Sequence, residues 1–415
     1  MLAYVGPGLQ ARPLAGRPEG RQLRPIVKRV VSLAFLVVAL SVYLSAQDPV
    51  GRSLPPWTRG TLDFHQISTG RGNAALVIFP DGTTMLVDAG AVGDGQAIAD
   101  TDPRPNATRS AGAWIADYVA SRGVSRLDYV VLTHFHADHI GGLHDVGARL
   151  PIGTVIDRGH EYSRPGDDDP AFKVYRAFLR EQSARGTMPE AVRVGRADQI
   201  VLRRDRAAFP TVEVRNVAAN GDVWSGHGDE VTRIFPPLAS LTAGDRPSEN
   251  MCSIGLRLRY GRFSLFTGGD MPGVPDAGAP AWQSVETAVA RAIGPTDVHV
   301  VNHHGSIDPE SEVFLATLRS AVMILPSWSP THPSQDALKR MMASRLYPGP
   351  HDIFATLLRP PTKASIGSRA DQFKADHGHI VVRVAPGEES FRVYVLDDTT
   401  EARTVRSVFG PYPSN

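Results

Sequence analysis

The sequence predicts an α/β fold in which packed β-sheets carry helices on their outer faces. Three observations predict it. Stretches with strand and helix spacing recur from Thr61 to Asp397 with no long linker between them. Neighbouring strands are joined by tight turns, as at Pro80-Asp81-Gly82-Thr83 and Tyr260-Gly261. Apolar runs end in metal-binding types of side chain, so several strand ends aim at one place. A chain of 415 residues suffices for one large domain or two ordinary ones.

Composition removes some functions. The formal net charge is +1, so no bulk field draws the chain to nucleic acid or anionic lipid. That excludes a purely electrostatic DNA binder, though not a local basic groove. Cys252 is the single cysteine, which excludes an internal disulfide framework and a Cys-rich zinc site. It reads as a small buried hydrophobe.

In chain order, Arg21, Arg24, Lys28 and Arg29 precede an apolar run from Val30 to Leu44, followed by Ser45-Ala46. These are the parts of an export signal over residues 1–46. A retained anchor with its basic end cytoplasmic is the alternative. The run is roughly 15 residues, short of the roughly 20 of a full span. Either reading places the globular part outside the cytoplasm, and the anchor reading adds membrane association through residues 26–46. Residues 47–60, with Pro49, Pro55 and Pro56, read as a linker to a domain over 61–397. Leu62 and Phe64 alternate with Asp63 and His65, the pattern of a half-buried strand. Ala74 to Phe79 and Thr84 to Val87 form a hairpin ending in Asp88-Ala89-Gly90, and residues 91–110 form a polar loop with the makings of a lid. Ala113 to Ala120 has helical spacing, with Gly123 as its stop. Ile140, Leu143 and Val146 suit a helix over the metal-type cluster, with His144 on its surface. Strand Ile152 to Asp157 leads through an acidic loop (Asp167, Asp168, Asp169) to a helix from Pro170 to Arg185, with Asp169 as its cap. Strands are expected at Ile200 to Arg203, Thr211 to Val217, Ile254 to Leu258 and Phe263 to Phe266. Further helices and strands follow over Glu312 to Leu318, Ala321 to Leu325, Ser334 to Met342 and Asp352 to Leu357. A hairpin of His379 to Val384 and Phe391 to Leu396 closes the domain, leaving residues 398–415 as a tail.

The chemistry concentrates at Thr133 to Gly142, after the apolar run Tyr129-Val130-Val131-Leu132. His134 and His136 are two apart and share one side of an extended segment. Asp138 and His139 are adjacent, so they diverge and could serve a second ion. Gly141-Gly142 let the backbone pass close by. Imidazole with carboxylate suits zinc, manganese or iron. A solvated polar loop does not explain four such residues within six positions at a strand end. Two further strands end in Asp270, after Thr267-Gly268-Gly269, and in His303-His304, after Val298 to Val301. His299, inside the latter strand, reads as packed. Thr331-His332-Pro333-Ser334 alone reads as a helix-capping turn.

The run His134-x-His136-x-Asp138-His139 resembles the signature of the metallo-β-lactamase superfamily, matched in full. The resemblance implies an αββα four-layer sandwich with a one- or two-metal hydrolytic centre. It implies that Asp88 braces the metal loop and that Asp270 bridges two metals. It also implies that a histidine after a third strand closes the site, with His304 favoured and His303 facing the substrate. Further pieces resemble one branch, the metallo-β-lactamase domain of ComEC-type competence proteins and their stand-alone relatives. These are Gly70-Arg71-Gly72-Asn73-Ala74, Val87-Asp88-Ala89-Gly90, Asn250-x-x-Ser253, Thr267-Gly268-Gly269-Asp270, His303-His304-Gly305-Ser306 and His332-Pro333. There are three departures. Asn73 stands where the branch usually has an aspartate. The multi-span channel is absent, so DNA uptake does not carry over. Asn250 stands in the region where many members supply a third histidine to the first site, with His160 and His227 as spare candidates.

The resemblance therefore implies two divalent ions, zinc first and manganese or iron as alternatives. His134 and His136 would hold one, and Asp138, His139 and His304 the other, with Asp270 shared. Hydrolysis by a metal-bound hydroxide follows, Asp138 serving it directly and His303 or Ser306 hydrogen-bonding the developing negative oxygen. The substrate expected is a phosphodiester, small or nucleic-acid. Lactonase, thioesterase or β-lactamase activity is the first alternative, and a non-catalytic binding module with a structural metal the second. No obligate protein partner is inferred.

Overall fold

The computed structural model describes Ala3 and residues 49–90, 101–159, 169–275, 278–387 and 389–415. The expected export or anchor segment therefore lies outside the described residues, apart from Ala3. So do His160, Asp167, Asp168 and half of the loop expected as a lid. No helix among the described residues is long and apolar enough to cross a membrane.

Two mixed sheets form the centre. Edge to edge, the first runs through Val405–Pro413, Ser390–Leu396, His379–Val384, Leu62–Gln66, Ala75–Ile78, Thr84–Val87, Leu127–Val131, Ile152–Asp157 and Met188–Ala191. The second runs through Asp352–Ala355, Val322–Leu325, Val298–Val300, Phe263–Thr267, Gly255–Tyr260, Val212–Ala219, Asp222–Trp224 and Val231–Arg233.

The layering follows from the two-residue period of the strands. Phe64, Val77, Val131, Leu265, Val298 and Ile324 point into one core shared by both sheets. On the first sheet's other face, Leu76, Leu86 and Val130 pack against Ile115, Val119, Leu143 and Phe178 of three helices. On the second sheet's outer face, Phe266 meets Val289 and Phe314, and Met323 meets Leu338. Helix, sheet, sheet and helix are the four layers expected.

The parallel strands position the site. In the first sheet Thr84–Val87, Leu127–Val131 and Ile152–Asp157 run parallel. In the second, Phe263–Thr267, Val298–Val300 and Val322–Leu325 do the same. Parallel strands bring their C-terminal ends to one edge, and the residues that follow them meet there.

Several expectations change. Leu62–Gln66 is buried throughout rather than half-buried, because Asp63 and His65 lie beneath other elements and not in solvent. Asp63 takes a two-pronged bond from Arg383, and His65 Nδ1 lies 2.9 Å from the Tyr118 hydroxyl. The helix expected over Ile140 to Val146 is two short ones, Ala137–Ile140 and Leu143–Arg149. Residues 200–203 form no strand. The stretch expected as a tail instead supplies Val405–Pro413, an edge strand paired with Ser390–Leu396. The stretch expected as a linker pairs with it too, Val50 bridging to Val405 and Ser53 to Thr404.

Candidate metal centre

Each strand end is set by local chemistry. Asp88, fully buried at φ 58°, ends its strand and accepts from the Thr133 amide at 2.8 Å. Its Oδ2 lies 2.7 Å from His139 Nδ1 and 2.9 Å from Asn73 Nδ2. Gly269, at φ 58°, lets Asp270 approach the metal loop, since a Cβ there would stand 2.7 Å from Thr133 Oγ1. His303 and His304 both adopt left-handed backbone, at φ 45° and 53°. That conformation costs a non-glycine residue on the order of 1–3 kcal/mol, and such strain clusters at functional sites. Hydrogen bonds hold the turn, with His303 N donating to Gly269 O at 3.0 Å.

Two groups of donor atoms result. Asp138, His139, Asp270 and His304 form one, and His134, His136 and Asp270 the other. Asp270 joins them through its two oxygens. Oδ1 lies 3.2 Å from His139 Nε2 and 3.5 Å from His304 Nε2. Oδ2 lies 3.7 Å from His134 Nε2 and 3.8 Å from His303 Nε2. Asp138 Oδ2 is 3.2 Å from His304 Nε2.

The donor set fits divalent cations. Ring nitrogens face one another, His139 Nε2 to His304 Nε2 at 3.2 Å and His134 Nε2 to His136 Nδ1 at 3.0 Å. Neutral imidazoles meeting by their lone pairs repel unless a proton or a cation lies between them. The outer nitrogens already have partners, His139 Nδ1 at Asp88 and His304 Nδ1 at Pro326 O, 3.0 Å away. A proton held on the outer nitrogen leaves Nε2 free as a ligand, the usual arrangement of metal-bound histidine.

The electrostatics reflect this crowding. Burial pushes the His134 pKa well below its ordinary value, and His139 adds to the push. His139 is also buried, but Asp270, Asp88 and Asp138 overcome that and raise it well above. For Asp270, burial raises the carboxyl while His139, His304 and His134 draw it well below the carboxylate range. Burial lowers His303, but its bond to Asp308 and the Asp270 charge raise it to about 9.

The other expected residues fall in distinct places. His303 is half-buried, with Nδ1 2.6 Å from Asp308 Oδ1 and Nε2 3.2 Å from Asn250 Nδ2. Asn250 Oδ1 is buried and has no hydrogen-bond partner among the described residues. Ser306 lies two residues beyond His304, and no hydrogen bond joins its hydroxyl to either cluster among the described residues. His332 stacks on His304 at 5.1 Å, so the structure brings it to the rim of the second cluster. His299 is packed inside, 2.9 Å from Ser320 Oγ and 3.1 Å from Glu310 Oε2. His144 is exposed near Glu181, and His227 is exposed in a turn away from both clusters. Sequence reasoning did not single out Asp308 or Trp328. Asp308 follows His303 by five residues within one loop, which was the available signal. The Trp328 ring meets the His304 ring edge-on at 5.9 Å.

Residues 68–237 match the family model described as the metallo-beta-lactamase superfamily. Over that stretch the chain carries a metallo-β-lactamase superfamily domain. The matched stretch holds the His134–His139 loop, while Asp270, His303 and His304 lie beyond it and are joined to it by the fold. No curated protein matches the chain. Among solved structures it is similar to CmlA, a diiron beta-hydroxylase from Streptomyces venezuelae, at 14% identity and a TM-score of 0.39, over 80% of this chain and 55% of that one. The chain thus spans about half the length of CmlA. It is similar to a diphosphatase from the PhnP family at 12% identity and a TM-score of 0.35, over 78% of this chain and 96% of that one. It is also similar to a metallo beta lactamase from Hirschia baltica, at 14% identity and a TM-score of 0.27, over 61% and 89%.

Proposed function

We propose that this protein is a metal-dependent hydrolase that cleaves phosphodiesters with two divalent cations. One observation carries the reading: Asp270 divides its two oxygens between two donor clusters. His134, His136 and Asp270 Oδ2 would hold one cation. Asp138, His139, His304 and Asp270 Oδ1 would hold the other. Bound there, the cations would supply Lewis-acid polarisation of a phosphoryl oxygen and lower the pKa of water toward about 7.

The chain's own groups do the rest. Asp88 and Pro326 O hold the outer nitrogens of His139 and His304. Asp308 holds His303 Nδ1, and Nε2, which lies beside Asn250 and Asp270, would exchange its Asn250 contact for a hydrogen bond to a reacting or departing oxygen. Protein donors fixed before reaction stabilise developing charge without reorganising. A shared pair of cations suits the attacking and leaving oxygens of an in-line phosphoryl displacement. The motifs similar to the ComEC-type branch favour the same substrate class. The basic-then-apolar stretch from Arg21 to Leu44 favours a site outside the cytoplasm.

The test combines metal content with a substrate panel. Purified protein should contain zinc, manganese or iron, hydrolyse bis(p-nitrophenyl) phosphate, and lose that activity in His136→Ala. Preference for a lactone, thioester or β-lactam would replace the substrate class while keeping the centre. Trace metal together with undiminished activity of His136→Ala would overturn the reading.

A further inference from the structure

We propose that the ion pair between buried Arg158 and half-buried Glu249 positions the first donor cluster, fixing the His134-Phe135-His136 segment so that two histidines and one shared carboxylate can hold a cation. This rests on the two-cation reading above. The two histidines are separated by Phe135, and both halves of Phe135 are gripped by this pair. Its amide donates to Glu249 Oε1 at 2.9 Å. Its ring lies against the Arg158 guanidinium, 4.7 Å from centroid to carbon. Glu249 also accepts from Arg158 Nε at 2.8 Å and from Nη2 at 2.7 Å, one bond on each oxygen. Such a fork fixes direction as well as distance.

The pair is embedded. Arg158 is 1% exposed, and its Nη1 donates to Asn220 Oδ1 at 2.9 Å. Phe135 packs in turn on Phe172 and Tyr175, at ring distances of 5.1 and 5.3 Å. Arg158 follows the first-sheet strand Ile152–Asp157, whereas Glu249 precedes the second-sheet strand Gly255–Tyr260. The ion pair therefore ties the two halves of the sandwich together at the site's edge. Glu249 also opens the turn that carries Asn250, with Cys252 N donating to Glu249 O at 3.0 Å and Ser253 N to Asn250 O at 3.1 Å. Ser253 Oγ then accepts from the Asp270 amide at 3.3 Å.

An ion pair with one partner buried and the other only 15% exposed is a weak source of stability, because an apolar pair of similar volume often serves as well. What this pair provides is placement. The first cluster needs it more than the second does. His136 is exposed, and the cluster's group contains two histidines and Asp270. The second cluster has Asp88 and Pro326 O behind its histidines. Partners behind a ligand typically change metal affinity about 10- to 100-fold when removed.

The experiment is a zinc titration of the full chain against a chromophoric chelator, with cobalt substitution to read each coordination environment. Wild type should bind two ions. Glu249→Ala should weaken one ion about 10- to 100-fold and spare the other, and the lost cobalt bands should be those lost in His136→Ala. Glu249→Gln keeps one acceptor for the Phe135 amide but turns its NH2 toward Arg158 and loses the charge, so it should recover only part of the affinity. Arg158→Lys, which loses the fork, should weaken the same ion. If Glu249→Ala does not fold, the Gln and Lys variants are read in the same way. Unchanged affinity for both ions would overturn the proposal. Equal weakening of both would also overturn it, since that marks a general brace. A wild type that binds no ion would overturn the two-cation reading, and this assignment with it.

Discussion

Asp88→Asn tests how far the metal loop depends on a single carboxylate. The substitution keeps shape, and asparagine tolerates the left-handed backbone found at φ 58°. The perturbation is therefore confined to hydrogen bonding. Both Asp88 oxygens accept: Oδ1 takes the Thr133 amide at 2.8 Å, and Oδ2 takes Asn73 Nδ2 at 2.9 Å and faces His139 Nδ1 at 2.7 Å. An amide must turn its NH2 toward one of these sides. Turned to Oδ1, it meets the Thr133 N–H donor to donor. Turned to Oδ2, it meets Asn73 Nδ2 and forces His139 to accept at Nδ1. His139 then carries its proton on Nε2, the atom that faces Asp270 and His304, and is lost as a ligand.

Either way one charge-assisted bond disappears, at about 1.5–3 kcal/mol, and one buried donor is left unpaired, at about 1–3 kcal/mol. Together these amount to roughly 2.5–6 kcal/mol, divided between folding and metal binding. Denaturant unfolding without metal reads the first share, and zinc titration reads the second, where a fall of about 10- to 100-fold is expected. A variant within about twofold of wild type in zinc affinity, and within about 0.5 kcal/mol in stability, would refute the reasoning.

Two other predictions follow from neighbouring contacts. Gly72 sits at φ 71° against the metal loop, and a Cβ there would stand 2.1 Å from the Asp138 carbonyl oxygen. Gly72→Ala should therefore displace Asp138, cost about 2–4 kcal/mol and weaken the second ion; Gly51→Ala, at φ 80° with open space around it, is the control, and equal losses in the two variants would reject the argument. Burial, and then the neighbouring Glu310 carboxylate, push the Glu286 pKa from 4.5 up to about 8. Glu286 accepts from Asn302 Nδ2 and from the amides of Glu310 and Ser311, each at 2.8 Å, while Glu310 faces His299 at 3.1 Å. Between those two pH values the folded chain holds a proton that the unfolded chain has released, so stability falls as pH rises from about 4.5 to about 8. Melting temperatures over that range should fall less steeply in Glu310→Gln, and parallel slopes would count against the coupling.

The parts legible in the sequence were those whose partners lie nearby in the chain or whose order repeats. The His134–His139 loop is contiguous, and the apolar strand before it fixes where it points. Asp270 and His304 could be read because each follows an apolar strand, and parallel pairing then delivers those ends to one edge. Failures occurred where side chains replace backbone ladders. Residues 200–203 do alternate as a strand should, and Ile200 and Leu202 are buried in the central core. Yet Val201 N donates to the Tyr129 hydroxyl at 3.1 Å and Arg203 N to Thr83 Oγ1 at 2.7 Å, so no strand forms. Hydrophobic period reports which side chains are buried, not what the backbone bonds to.

The edge strand Val405–Pro413 was hidden for the opposite reason. Gly410-Pro411 breaks its pattern, and its pairing with Ser390–Leu396 shifts register twice. Proline is tolerated there because an edge strand leaves one row of amides without a ladder partner. The deepest omission was the Arg158–Glu249 pair. No local pattern links two residues that lie 91 positions apart, one after a first-sheet strand and the other before a second-sheet strand. That pair spans the same edge as the donor clusters and joins the same two sheets. In this fold the donor residues come from strand ends, which a sequence can declare one at a time. The contacts that align those ends run between the sheets, where only the folded chain brings them together.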